Sequence, residues 1–265
     1  MKIGFIGAGN MGGSILNGML RSGDFQPEDI LVSRRHPEAG AAWQVQGVRV
    51  FCDNRLLAGE ADCVVMAVKP RYAAGILANI RDLLENKLVI SVMGGWSYEM
   101  LAEALPESAH FVLAMPNTPM AVGAGLSLLC RRSRCSEEEF ALARSIFAAG
   151  GAVVEVADEK IYTAANGISG CGPAFACMFM EALADGGVRC GVPREMAYQL
   201  AVQMVIGTGK MLLETGTHPG VLKDAVCSPG GATIEGVLAL EKGGLRAAVI
   251  EAVGAAVEKT LIMGK

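Results

Sequence analysis

Three groups of residues have types and spacings that chemistry can use. The first is Gly7-Ala8-Gly9-Asn10-Met11-Gly12, a G-x-G-x-x-G string close behind the apolar run Ile3-Gly4-Phe5-Ile6. In a strand–turn–helix setting, Gly7 permits the tight turn, Gly9 lets backbone approach a pyrophosphate, and Gly12 lets the helix pack on the strand. Asn10 and Met11 fall at the start of that helix, where unpaired N–H groups and a partial positive charge favour phosphate. The second group sits at the ends of further strand-like runs: Ser33-Arg34-Arg35, Asp53-Asn54, Ala67-Val68-Lys69-Pro70 and Met115-Pro116-Asn117-Thr118-Pro119. Ligands of open α/β sheets bind beyond the carboxyl ends of strands, so these loops share one edge with the glycine turn. Proline stiffens two of them and holds Lys69, Asn117 and Thr118 in place. The third group, Ser228-Pro229-Gly230-Gly231-Ala232-Thr233, reads as a helix start. Ser228 is the expected N-cap with Pro229 in the first turn. Gly230 and Gly231 leave backbone N–H groups uncovered, with hydroxyls of Ser228 and Thr233 beside them. Such a turn suits a carboxylate or a phosphate.

A dinucleotide is the expected ligand of the first two groups, bound by Gly7, Gly9, Asn10, Met11, Gly12, Ser33, Arg34, Asn54, Ala67, Val68, Lys69, Pro70 and Asn117. An NAD site usually places Asp or Glu after the second strand, for the ribose hydroxyls. This chain has Ser33-Arg34-Arg35 there, and Glu28 and Asp29 lie at the strand's other end. A hydroxyl beside a guanidinium fork suits a 2′-phosphate. NADPH is therefore expected, with NADH a poorer alternative.

The elements that must carry these groups are legible in the same way. Short apolar runs alternate with helix-like segments as far as Val156, for example Ile30–Ser33, Cys63–Val68, Leu88–Val92 and Gly125–Cys130. Apolar strands of this length imply a sheet covered on both faces, and the alternation implies a doubly wound α/β domain. Helices are expected over residues 12–21, 39–46, 73–84 and 98–104, and another opens at Ser136-Glu137-Glu138-Glu139, with acidic residues opposing the helix dipole. The pattern changes at Asp158. Residues 158–265 show no clear strand and about five helices, several apolar around most of their circumference. A helix apolar all round must be buried, and about a hundred such residues cannot bury themselves in one copy. The expected architecture is α/β, with a Rossmann-like domain over 1–157 and an all-helical dimerisation and substrate domain over 158–265.

The composition excludes other classes. The chain is 52% hydrophobic and 19% charged, with a formal net charge of -4, which argues against disorder. The basic stretch Arg131-Arg132-Ser133-Arg134 is too short for a nucleic-acid surface. Eight cysteines form no C-x-x-C pair and have no histidine at zinc-ligand spacing. No metal is expected, and the thiols suit a reducing, cytoplasmic setting. No signal peptide and no membrane span are expected.

Taken together, these strings, with Ser169-Gly170-Cys171-Gly172-Pro173-Ala174 between two helices, resemble the pyrroline-5-carboxylate reductase family along essentially the whole chain. Ser228–Thr233 is the most specific of them. Departures are small: Cys171 stands where the family often has serine, and Phe175 where tyrosine is frequent. The resemblance implies hydride transfer from NADPH to the C=N bond of (S)-1-pyrroline-5-carboxylate, giving L-proline in the last step of its synthesis. It implies a substrate carboxylate on Ser228, Gly230, Gly231, Ala232 and Thr233, and a catalytic Thr233 that hydrogen-bonds the ring nitrogen. It also implies interlaced dimers that share active sites, and assembly of five dimers into a decamer. A β-hydroxyacid dehydrogenase, which needs a helix-borne lysine, is a poorer reading because no lysine occurs between Lys160 and Lys210. An NADPH-binding redox sensor would have no use for the Ser228–Thr233 turn.

Overall fold

In the computed structural model, which describes residues 1–263, the chain forms two compact units, one of residues 1–171 with 256–263 and the other Gly172–Ala255.

The first unit holds a single eight-stranded sheet, in the order β3-β2-β1-β4-β5-β6-β7-β8. The strands are β1 (Ile3–Ile6), β2 (Ile30–Ser33), β3 (Arg49–Phe51), β4 (Cys63–Met66), β5 (Leu88–Ser91), β6 (His110–Met115), β7 (Gly125–Cys130) and β8 (Gly151–Val156). Every neighbouring pair is parallel except β6 with β7, so the doubly wound sheet carries one antiparallel junction. Along the strands, residues alternate between two buried layers. One layer gathers Leu31, Val64, Met66, Val89, Phe111 and Leu113 under α3 (Asn54–Glu60), α4 (Pro70–Ile80), α5 (Tyr98–Ala104) and α7 (Glu159–Ser169). The other gathers Phe5, Val32, Val65, Ile90 and Val112 under α1 (Asn10–Ser22) and α6 (Glu137–Ala148). Burial of each such aliphatic or aromatic side chain stabilises the fold by about 1.5–3 kcal/mol. Among the described residues, large side chains such as Phe5, Phe111 and Phe147 are fully inside.

Several local expectations shift by a turn. The helix expected over 39–46 is a 3-10 turn from Pro37 to Gly40 and a short α2 (Ala41–Gln44), stopped by the Gly47 turn. β4 ends at Met66, and α4 begins at Pro70, not Ala73, because proline is pre-organised for the first helical position. At α6 a reciprocal capping box joins Ser136 and Glu139.

The compact sheet unit extends past the expected domain boundary at 157/158. α7 packs its buried Tyr162 into the layer that holds Val156 and Phe111, so it belongs to the sheet unit, which runs to Cys171.

The second unit contains α8 (Gly172–Arg189), α9 (Arg194–Thr215), α10 (Pro219–Val226), α11 (Ala232–Lys242) and most of α12 (Leu245–Met263). Its one compact core is the contact of α8 with α9 at Ala184, Ala197 and Ala201, where small side chains let the helices approach. Among its described residues, only these hydrophobic side chains are fully buried. Large apolar groups stand in the open on α9, α11 and α12, with Leu213 at 88% and Ile250 at 72% exposure. Glu159–Arg189 is 31 residues long and apolar enough by length and composition to cross a membrane, but it is not the charge-free run that the sequence is expected to lack, since it carries Glu159, Lys160, Glu181, Asp185 and Arg189.

Candidate functional site: a cofactor cleft and a glycine-rich helix start

The cleft forms where the strand order turns back, between β1 and β4. β1 delivers Gly7 at φ 89°, a left-handed conformation that glycine adopts without strain. A methyl group on Gly12 would stand 2.2 Å from the Gly7 carbonyl oxygen, so Gly12 is required for α1 to close on the turn. A methyl on Gly9 would meet nothing within 4 Å, so the space before this residue is open to a ligand. Gly9 is the N-cap of α1 and lends it no side-chain bond, which leaves the first N–H groups uncapped by a side chain.

The resulting cleft encloses about 730 Å³, in the range of small-molecule sites. Of the expected cofactor residues, Gly7, Gly9, Ser33, Arg34, Asn54, Ala67, Val68 and Lys69 line it. Asn10 opens α1 beside it, Met11 packs half-buried on the α1 layer, and Pro70 starts α4. Asn117 is placed differently from these. It is 8% exposed, its Nδ2 donates to the Ser169 carbonyl at 2.9 Å, and its Oδ1 accepts the Leu126 N–H at 2.8 Å. Its amide therefore ties the β6 loop to β7 and to the end of α7, and it is not in the wall of the cleft. Sequence reasoning missed His36, Cys52, Tyr72, Gly75 and Ile76, which also line it, and left Arg35 uncommitted. Cys52 and His36 each lie within three residues of a strand end, which was the available signal; the two on α4's second turn gave none.

The Ser33-Arg34 pair is pre-set. Ser33, 2% exposed, donates its Oγ hydrogen to Asn54 Oδ1 at 2.6 Å. Arg34 Nη1 donates to the Ala39 carbonyl at 2.7 Å, and the guanidinium lies 5.5 Å from the centroid of the Trp43 ring. Its Nε is buried with no partner. A buried donor left unpaired is costly, and the residue as a whole lines the cleft. Arg35 and His36 add exposed basic groups at the same rim, and Lys69 adds one across it. An open glycine turn, an uncapped helix start and this basic rim together fit a phosphorylated dinucleotide.

The other histidines serve elsewhere. His110 Nδ1 contacts Glu139 at 2.7 Å, at the opposite end of β6 from Met115. His218 caps α10 by accepting the Gly220 N–H at 3.1 Å. Burial pushes the Cys63 thiol in β4 far above the usual range and that of half-buried Cys135 up to about 11, which favours the protonated form of each.

In the second unit, α11 begins at Ala232 with Gly231 as N-cap, not Ser228. Ser228 and Pro229 form the preceding turn, closed by the Gly231 N–H on the Ser228 carbonyl at 3.0 Å, with Gly230 at φ 66°. The shift has a physical cause: a residue at positive φ cannot continue a helix, so the helix starts after Gly230. The consequence favours binding. No side chain caps α11, and Ser228, Gly230, Ala232 and Thr233 are all exposed. The first N–H groups of an eleven-residue helix are thereby left to a ligand. Among the described residues no cluster of His, Cys, Asp and Glu could hold a metal ion.

Comparison with known proteins gives one answer over both units. Residues 159–263 match the family model described as pyrroline-5-carboxylate reductase dimerisation, and residues 2–95 match the model described as NADP oxidoreductase coenzyme F420-dependent. The pyrroline-5-carboxylate reductase of Escherichia coli is 42% identical across 100% of this chain and 98% of its own. That of Synechocystis is 41% identical across 100% and 99%. The solved structure of Plasmodium falciparum pyrroline carboxylate reductase with NADP bound superposes with a TM-score of 0.92 at 34% identity, over 100% of this chain and 98% of that one. With a glycine-turn cleft rimmed by basic groups in one unit, an uncapped glycine-rich helix start in the other and full-length likeness to these enzymes, this chain belongs to the pyrroline-5-carboxylate reductase family.

Proposed function

We propose that this reductase, which converts 1-pyrroline-5-carboxylate to proline, draws its hydride from NADPH in preference to NADH. The observation that carries the preference is Arg34, braced on Ala39 and Trp43 at the rim of the cleft. A guanidinium held in place gives up little entropy when it takes a phosphate. No carboxylate lines the cleft where NAD-specific sites place one. The relative solved with NADP bound supports the same reading.

NADP(H) supplies the hydride chemistry; this chain's residues bind, orient and exclude. The turn at Ser228, Gly230, Gly231, Ala232 and Thr233 receives the substrate carboxylate on its uncapped N–H groups. The Thr233 hydroxyl holds the ring nitrogen. Protonation of that nitrogen makes the ring a better hydride acceptor, and solvent can provide the proton. Holding the acceptor in one orientation supplies several kcal/mol of barrier lowering. The working unit is a dimer, in line with the dimerisation family matched by residues 159–263, and five dimers associate into a decamer. The exposed apolar faces of α9, α11 and α12 support this assembly, and eight unpaired thiols support a reducing, cytoplasmic setting.

Following absorbance loss of each cofactor with 1-pyrroline-5-carboxylate tests the preference. Arg34→Ala should raise KM for NADPH by about tenfold or more, the worth of a charge-assisted hydrogen bond. KM for NADH should barely move. Equal effects on both cofactors would refute the assignment.

A further inference from the structure

We propose that Trp43 is a positioning residue for cofactor choice: its indole carries the Arg34 guanidinium and ties that platform to the helix beneath the glycine turn. The inference rests on the reading that Arg34 takes the 2′-phosphate.

Trp43 belongs to α2, a helix of four residues. So short a helix has little stability of its own. Its placement comes from what Trp43 touches. The indole Nε1 donates to Asn17 Oδ1 on α1 at 2.7 Å. The ring's edge lies 3.3 Å from where a methyl on Gly13 would stand, so Gly13 makes room for it in the first turn of α1. The Trp43 carbonyl accepts the Val48 N–H at 3.1 Å, just ahead of β3. One side chain is thus pinned to the helix that opens at the phosphate turn, and one face of it lies under Arg34 at cation–π distance.

The Arg34 stem also passes close to Gly40. Gly40 is buried, and a methyl there would lie 3.6 Å from Arg34 Cδ and 3.1 Å from a methyl of Val50. Nη1 is engaged by the Ala39 carbonyl and Nε is covered, and the guanidinium is supported at 5.5 Å by the indole. Without it, the long arginine stem regains rotamer freedom, and phosphate binding must order it again. Asn17 extends the effect: through Trp43 it sets the distance between the 2′-phosphate donors and the pyrophosphate helix.

Three variants of the full-length enzyme test this, each assayed with NADPH and NADH and titrated calorimetrically with 2′,5′-ADP and 5′-ADP. Trp43→Ala is expected to raise KM for NADPH and weaken 2′,5′-ADP about five- to tenfold. KM for NADH, 5′-ADP affinity and kcat should stay within about twofold. Those factors convert to about 1–1.4 kcal/mol. Trp43→Phe keeps an aromatic face but loses the Asn17 bond, and should recover part of the loss; Asn17→Ala should resemble it. If Trp43→Ala fails to fold, as thermal denaturation would show, Trp43→Phe and Asn17→Ala carry the test. Equal weakening of both cofactors assigns Trp43 to structure alone and overturns the inference. No change in either cofactor also overturns it. Arg34→Ala separates the two levels. Lost preference in Arg34→Ala with none in Trp43→Ala leaves the NADPH reading standing and removes Trp43. Preserved preference in Arg34→Ala removes the reading itself.

Discussion

At the scale of single residues, the site works by committing some donors and sparing others. Ser33 commits its hydroxyl hydrogen to Asn54 while lining the cleft, and the Asn117 amide is committed to Leu126 and Ser169. Thr233 is different: it is exposed in the first turn of α11, and its hydroxyl has no partner among the described residues. Its chemistry is therefore available to a substrate. Thr233→Ala should lower kcat by about ten- to a thousandfold, the usual range for a positioned polar group. The cofactor's KM should be little changed. Steady-state kinetics at saturating NADPH would check this, and full turnover in the variant would remove Thr233 from its role.

At the scale of elements, two glycines of one turn serve opposite purposes. Gly12 faces inward, 2.2 Å from a backbone oxygen once given a methyl, and backbone cannot yield as a flexible side chain can. Gly9 faces open space in an extended conformation that alanine tolerates. Gly12→Ala should thus cost about 1–3 kcal/mol of stability through overpacking, seen as a lowered Tm. Gly9→Ala should keep Tm within the range of neutral surface changes, about 0.5 kcal/mol, while raising KM for NADPH at least about tenfold. Identical behaviour of the two variants would contradict this division. The α11 start shows a related economy: with no side-chain cap, the helix leaves its first N–H groups for a carboxylate.

For the whole molecule, the second unit decides the assembly. Its helices expose Met204, Ile206, Leu213, Leu240 and Ile250 and enclose few side chains of their own. Monomers rarely leave contiguous apolar surface of that extent uncovered. Upstream of these residues, Glu159–Arg189 is apolar enough by length and composition to pass for a membrane span, with 17% of its most apolar stretch buried. A second copy is the cover that the dimerisation family implies. Light scattering on the eluting peak should give at least twice the 27.6 kDa chain mass at micromolar concentration. A stable monomer would contradict the dimer, and a dimer that grows no further would remove the decamer alone.

Local chemistry was legible from the sequence because it acts over a few residues. The glycine turn, the acidic helix start at Ser136 and the strand runs each depend on neighbours in the chain, and together they specified a Rossmann-like sheet and an apolar helical half, while the reaction followed from the family resemblance carried by strings such as Ser228–Thr233. Tertiary structure decided what depends on distant partners. The Asn117 amide became an internal tie because Ser169, 52 positions away, meets it. α7 joined the sheet unit because Tyr162 found a place beside Phe111 and Val156. Arg34 became a braced platform because Trp43, fixed by Asn17 on another helix, lies under it. Spacing along the chain cannot encode these outcomes, because a buried polar or aromatic group takes whichever partner the packed fold brings within reach.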